Sequence, residues 1–333
     1  NEYNLHWQQV KEGIVVDSGD ISLDLKPGES KVVEIGIDGR VKQEWYLNLL
    51  LELKDSVKWA KAGHVVAKEQ FVVNEYKFDR FTLNGSEIAT KVEYGTIYIY
   101  GEDMEARFSR RSNKLYYLSM GGKVIFDTPI VPNFWRAETD NDRGCHQSVR
   151  CACWKNAGAD AGFSLDRLKE NGEKVILETS FIVHTEPESK GKIIYTISTK
   201  GVHVDYEFTP GYSLPEIPEI GLKLEVSKDY YRMDYLGRGP HENYIDRNLS
   251  TDIGLYKINI DNLFVPYLKP QEHGERTGVR YASLIGNGSK LRIEADNEME
   301  INVSKYSIDA LERAKHPYEL QESDKLQVRV IAR

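Results

Sequence analysis

Two short stretches concentrate the side chains able to do chemistry: Phe134-Trp135-Arg136-Ala137-Glu138-Thr139-Asp140-Asn141-Asp142-Arg143-Gly144 and Leu236-Gly237-Arg238-Gly239-Pro240-His241-Glu242-Asn243-Tyr244-Ile245-Asp246-Arg247. Charges grouped this densely must pair with one another or stay solvated. In the first stretch, Arg136, Asp140 and Asn141 could hydrogen-bond the hydroxyls of a polyhydroxylated ligand while Phe134 or Trp135 stacks on its ring face. The structural alternative, which is favoured, pairs Arg136 with Asp140 or Asp142 and has Asn141 cap the turn before Gly144. In the second, Gly237, Gly239 and Pro240 force a sharp turn that presents His241 and Glu242. Neighbours in an extended segment point to opposite faces, so a scaffold or interface role is favoured over ligand contact, and both over catalysis. Gln271, Glu272, His273 and Arg276 form a third group in a glycine-bounded loop, where structure is only modestly favoured over ligand contact.

Groups like these need a rigid frame. The chain has 333 residues, enough for two domains or one large sandwich. An apolar content of 40% with 11 prolines indicates globular packing rather than disorder. The net charge of -8 disfavours nucleic acid and anionic membrane as partners and leaves neutral sugar open. No apolar run approaches the roughly 20 residues of a membrane span. Cys145, Cys151 and Cys153 follow a C-x5-C-x-C spacing with His146 as the one nearby further ligand. That pattern reads as free thiols, so no metal site is assigned. The compartment stays undecided.

Residues 1–83 read as a small β-sandwich. Leu5-His6-Trp7 and Gly13 to Val16 suit a hairpin, Pro27-Gly28 a turn, and Val32 to Ile35 a strand. Leu47 to Leu53 is near-continuously apolar, hence central in its sheet, and Val65 to Ala67 and Gln70 to Val73 complete about seven strands at immunoglobulin-like spacing. Trp7, Trp45 and Trp59 are expected in its core, and Asp79 to Thr90, with Asn84-Gly85-Ser86, is the expected linker. Residues 84–333 carry many short strands and little helix. Gln147 to Asn156 could form two turns on which Trp154 packs, and Ser307 suits the N-cap of a helix over Ile308 to Lys315. The fold class is therefore all-β: an immunoglobulin-like β-sandwich followed by a large two-sheet sandwich. Asn1 opens into the alternation of Tyr3, Leu5 and Trp7, and Leu326, Val328 and Val330 alternate up to Arg333. Both ends thus read as cuts through strand patterns.

The two stretches resemble the FWRAPTDND-type and LGRGPxENYxDR-type runs of the C-terminal β-sandwich of glycoside hydrolase family 2 β-galactosidases. The resemblance continues through Tyr267 to Gly274, Arg276 to Arg280, Asn302 to Ser307 and Leu311 to His316, with Glu138 standing where the family shows proline. It implies a galactose-mutarotase-like β-supersandwich, the small-chain domain of the family, ending here before a Gly-Gly-Asp-Asp-Ser-Trp-type stretch. The implied role is the non-catalytic C-terminal part of a retaining β-galactosidase. Its partners would be the catalytic barrel of the same parent chain and a galactoside substrate, in a homo-oligomeric parent. No cofactor is implied here, with Mg and Na belonging to the intact enzyme's other domains. No stretch alternates strand with amphipathic helix as a (β/α)8 barrel requires, so no catalytic acid or nucleophile is assigned. The substrate-binding candidates are Arg136, Asp140, Asn141, His241, Glu242, Glu272 and His273. A galactoside-binding module is the alternative. A mutarotase-like epimerase ranks last, because His241 with Glu242 resembles the pair mutarotases use but a two-His-plus-Glu constellation is wanting.

Overall fold

The computed structural model describes residues 2–37, 42–78 and 82–332. Apolar and polar residues alternate along most of the chain, and each alternation becomes a strand with one face on a core. β1 (Tyr3–Lys11), β2 (Ile14–Ser22), β3 (Trp45–Leu53) and β4 (Val65–Asn74) form a sheet ordered β2-β1-β3-β4. The β1–β2 hairpin and the central place of β3 agree with the sequence reading. Three details differ. Val65–Ala67 and Gln70–Val73 are one strand, and Val32–Ile35 is extended chain with no strand partner, leaving Val32 90% exposed. Four strands, not about seven, therefore form among the described residues of this region. Trp45 is buried and Trp7 lies over Gly19, but Trp59 is 67% exposed on the β3–β4 connection, in edge contact with His64. Part of the expected linker, residues 79–81, lies outside the described residues.

β5 (Ala89–Glu93), β6 (Thr96–Gly101), β7 (Met104–Ser109), β8 (Lys114–Met120) and β9 (Lys123–Phe126) make a five-stranded meander. After β10 (Val131–Asn133) come two short helices, α1 (Asp140–Gly144) and α2 (Gln147–Arg150). A second meander follows with β11 (Gly162–Glu170), β12 (Val175–Val183), β13 (Ser189–Ser198) and β14 (Gly201–Thr209). The last strands are β15 (Gly221–Val226), β16 (Tyr230–Gly239), β17 (Asp252–Asn259), β18 (Arg276–Gly286), β19 (Ser289–Ser304) and β20 (Leu326–Ile331), with α3 (Ile308–Arg313) before β20. With β10 they form a seven-stranded sheet ordered β10-β15-β20-β19-β18-β16-β17. Every strand pairing among the described residues is antiparallel. The fold is all-β, as expected.

One apolar core joins the two meanders through Ile97, Phe108, Leu177 and Tyr195, and another lines the large sheet through Met233, Leu284, Ile301 and Val328. The helices are local. Ser307 accepts a hydrogen bond from the Ala310 N–H at 3.1 Å, as its N-cap position predicts, and α3 ends at Arg313, short of Lys315. Gln147–Asn156 divides into α2 and a 3-10 turn at Ala152–Trp154, which buries Trp154 against Phe134.

The first sheet packs directly on β16 and β17. Gln70 accepts from Ile253 N at 2.7 Å and donates to Ile253 O at 3.0 Å, extending a backbone-like pairing across the junction. At its edge Leu255 N donates to Gly13 O, and a Cβ on Gly13 would lie 2.3 Å from that nitrogen at a φ of +77°. Only glycine fits there. Val10, Tyr46, Leu236 and Ile253 close the junction with an apolar cluster.

Candidate functional site

β20 shows how the large sheet positions its polar groups. Leu326 and Val328 enter the apolar core, so Gln327 and Arg329 face the other side. Register places Arg329 between Asn302 of β19 and Lys223 of β15, and Gln327 between Ser304 and Glu225. This polar face is roofed by both marker stretches and by the segment leading into β18.

Arg329 is its centre, 4% exposed. Its Nη1 donates to Glu219 Oε2 at 2.5 Å and its Nη2 to Glu272 Oε1. Glu272 Oε1 also accepts from Asn302 Nδ2 at 2.8 Å, while its Oε2 accepts from Ala137 N at 3.3 Å. Asn133 Nδ2 donates to Glu219 Oε1 at 2.6 Å and to Trp135 O at 2.7 Å. A third carboxyl, Glu275, is 5% exposed, and no hydrogen bond reaches its side chain among the described residues. Burial, only partly opposed by Arg329 and reinforced by Glu272, pushes Glu219 up to about 7. Burial together with Glu272, Glu219 and Glu300 drives Glu275 well above the carboxylate range. The extra proton belongs to Glu219 and Glu275 together, and Glu275, lacking a donor, is its natural seat.

The marker loops lock onto this network. Arg136 Nη2 pairs with Asp142 Oδ1 at 3.0 Å, one of the two partners the residue types allowed. Asp140 instead pairs with Arg143. Asn141 does not cap the turn: Thr139 does, accepting from Asp142 N at 3.2 Å while Asp142 Oδ2 accepts from Thr139 N at 2.9 Å, a reciprocal box that starts α1. Gln271 Oε1 accepts from Asp140 N at 2.8 Å, tying this loop to the third group. In the second stretch Glu242 is buried and accepts from Arg247 at 2.6 Å, Gly274 N at 2.8 Å and the Tyr267 hydroxyl. His241 points outward to Ser250 Oγ at 2.9 Å, so the two neighbours do face apart. Asn243 holds the turn by accepting from Thr277 N at 3.0 Å and donating to Arg238 O at 3.1 Å. Gly274 adopts φ +79° with Leu263 O 2.7 Å from where a Cβ would be, which leaves its N–H free to reach Glu242. His273 is buried, with Nδ1 3.1 Å from Gln271 O and Nε2 3.4 Å from Ser304 Oγ.

Of the seven candidates, Arg136, Glu242, Glu272 and His273 are drawn inward by protein groups, while Asp140, Asn141 and His241 are exposed on the loops above them, Asp140 held by Arg143 and His241 by Ser250. Glu219, Glu275 and Arg329 stand outside those candidates. Arg329 lies in an alternation that reads as half-solvated, although both faces of β20 are covered. A cavity of about 20 Å³ beside His273, Ser304, Tyr306 and Gln327 has room for about one water. The Tyr244 hydroxyl is buried with no partner, and burial with Glu272, Glu242 and Glu275 raises it well above its ordinary value. The three cysteines are free thiols, with Cys151 buried and Cys145 and Cys153 exposed. No group of three or more His, Cys, Asp or Glu side chains among the described residues converges as a metal site.

The family model described as "Beta galactosidase small chain" matches residues 100–333, and that described as "Beta-galactosidase, domain 4" matches residues 1–74. A β-galactosidase of Priestia megaterium is 29% identical over 99% of this chain and 32% of its own length. One from Halalkalibacterium halodurans is 32% identical over 83% of this chain and 28% of its own. A third, from Streptococcus thermophilus, is 28% identical over 97% and 32%. The chain thus spans about a third of the length of these curated relatives. With collinear matches over both its parts, the chain belongs to the β-galactosidase family and corresponds to its domain 4 and small chain.

Proposed function

We propose that this polypeptide is the non-catalytic C-terminal portion of a retaining β-galactosidase that hydrolyses terminal β-D-galactosides. Its domains divide at residues 1–83 and 84–333, and together they buttress a catalytic barrel and shape one wall of its site. One observation carries this reading. The polar side chains of the marker stretches mostly bind each other, as in the Arg136–Asp142 and Glu242–Arg247–Tyr267 groups, which suits a rigid buttress. A retaining site would need two carboxyls about 5 Å apart flanking an open bond-cleavage position. The 333-residue chain assayed with a chromogenic β-galactoside is expected to show no turnover above buffer, and measurable turnover would overturn the proposal.

Sugar contact is a second reading, favoured by the exposed Asp140, Asn141 and His241 on adjoining loops. Calorimetric titration with galactose and lactose tests it: heat that disappears in His241→Ala supports a contact, and no heat at millimolar sugar removes it.

A further inference from the structure

The carboxyls around Arg329 outnumber the cations that touch them. Glu219 and Glu272 take its two Nη groups, so no fork remains for Glu275. The neighbouring Arg276 offers nothing either: it donates to the Tyr235 hydroxyl at 2.9 Å and to the carbonyls of Gly274, Glu275 and Pro240 at 3.1, 3.0 and 3.1 Å. Arg136 acts on Glu219 from further off, but its own fork bonds Asp142. The groups acting most strongly on Glu275 are Glu272, Glu219, Glu300 and the cation Arg329, with the Tyr244 hydroxyl also under its influence. Lys223, opposite Arg329, and the buried His273 line the cavity beside Glu272. Three ionised carboxylates in so dry a place would leave about two negative charges uncompensated, which burial does not tolerate.

The same residues hold the roof down. Glu272 receives Ala137 N of the first marker loop, and Asn133, bonded to Glu219, holds Trp135 O. Glu275 O receives Asn243 N of the second marker loop, and the adjacent Gly274 N reaches Glu242. Any event that drives Glu219, Glu272 and Glu275 apart therefore pulls on both loops at once.

We propose that Glu219 and Glu275, buried beside the Arg329–Glu272 pair, form a proton-loaded latch: a proton held on these two carboxyls keeps both marker loops docked on the sheet, and their docking weakens as the pH rises. The sign follows from linkage. The docked state retains a proton that a solvated, undocked carboxyl releases above its ordinary range. Docking is therefore strongest in mild acid, and the opening equilibrium rises by up to about tenfold per pH unit per retained proton. The rise levels off once the docked Glu219 and Glu275 have themselves lost the proton. Glu242 is the structural contrast, since three donors meet its carboxylate.

Hydrogen exchange of the 333-residue chain between about pH 5 and about pH 8, corrected for intrinsic rates, reads the latch directly. Peptides covering 134–148 and 240–248 are expected to lose at least about tenfold in protection over this range, with a peptide in β12–β13 unchanged. Glu275→Gln, a permanently neutral isostere, should flatten the profile, as Glu219→Gln should in part. A pH response as steep in both variants as in the parent, or loops equally protected throughout, would overturn the proposal. Should the variants not fold, infrared spectra of the unaltered chain decide: a protonated carboxyl band persisting at about pH 7 supports the latch, and its absence refutes it.

Discussion

Two buried arginines organise this molecule, and they do so differently. Arg280, on β18, clasps the first sheet to the large one: its Nε meets Glu44 Oε1 at 2.9 Å, its Nη2 the Tyr46 hydroxyl at 3.0 Å and its Nη1 Glu298 at 3.0 Å. The Glu44 side chain is fully buried, but that of Glu298 is 35% exposed and its charge stays partly solvated. One cation thus balances one dry carboxylate. Arg329 balances three. The contrast teaches that the number of desolvated carboxyls around a buried guanidinium, more than the quality of any one ion pair, decides whether the cluster is a passive clasp or a proton store.

Removing each cation sharpens the comparison. Arg329→Met should cost about 3–5 kcal/mol, because it strands Glu219 and Glu272 in a dry site. Urea unfolding measures it, and part of the loss should return in acid as those carboxyls protonate. Arg280→Met should cost about 3 kcal/mol, since only Glu44 is stranded. Adding Glu44→Gln should recover most of this at neutral pH, whereas one such change cannot rescue Arg329→Met. Equal costs and equal rescue would dissolve the distinction. Smaller still, Thr139→Ala removes the box that starts α1 and should cost about 1 kcal/mol. Trp59→Ala, on an exposed side chain, should change stability by no more than about 0.5 kcal/mol.

Much of this architecture is legible in the alternation of side chains. The β1–β2 hairpin, the central β3 and the Ser307 cap follow from local pattern and turn chemistry. The long-range parts do not. Glu219 and Arg329 are 110 residues apart, and Leu326-Gln327-Val328-Arg329 reads like any strand with one wet face. The roof formed by both marker stretches and residues 271–275 makes that face dry. Trp59 fails the opposite way: its size suggests a core position, but it sits on a connection beyond the sheet. The Thr139–Asp142 box matches a Thr-x-x-acid spacing ahead of Arg143, but in so charge-dense a loop the residue types alone offer Asn141 as an equally good cap.

The difference between the two arginine clusters rests most directly on the pH dependence of stability, measured by urea unfolding of the parent chain and of Glu275→Gln side by side. The folded chain holds a carboxyl proton that the unfolded chain releases, so the parent should lose stability as the pH climbs from about 5 to about 8. Glu275→Gln should lose less, the gap reaching about 1–2 kcal/mol at the upper end. Parallel curves, or a parent that gains stability over this range, would contradict it.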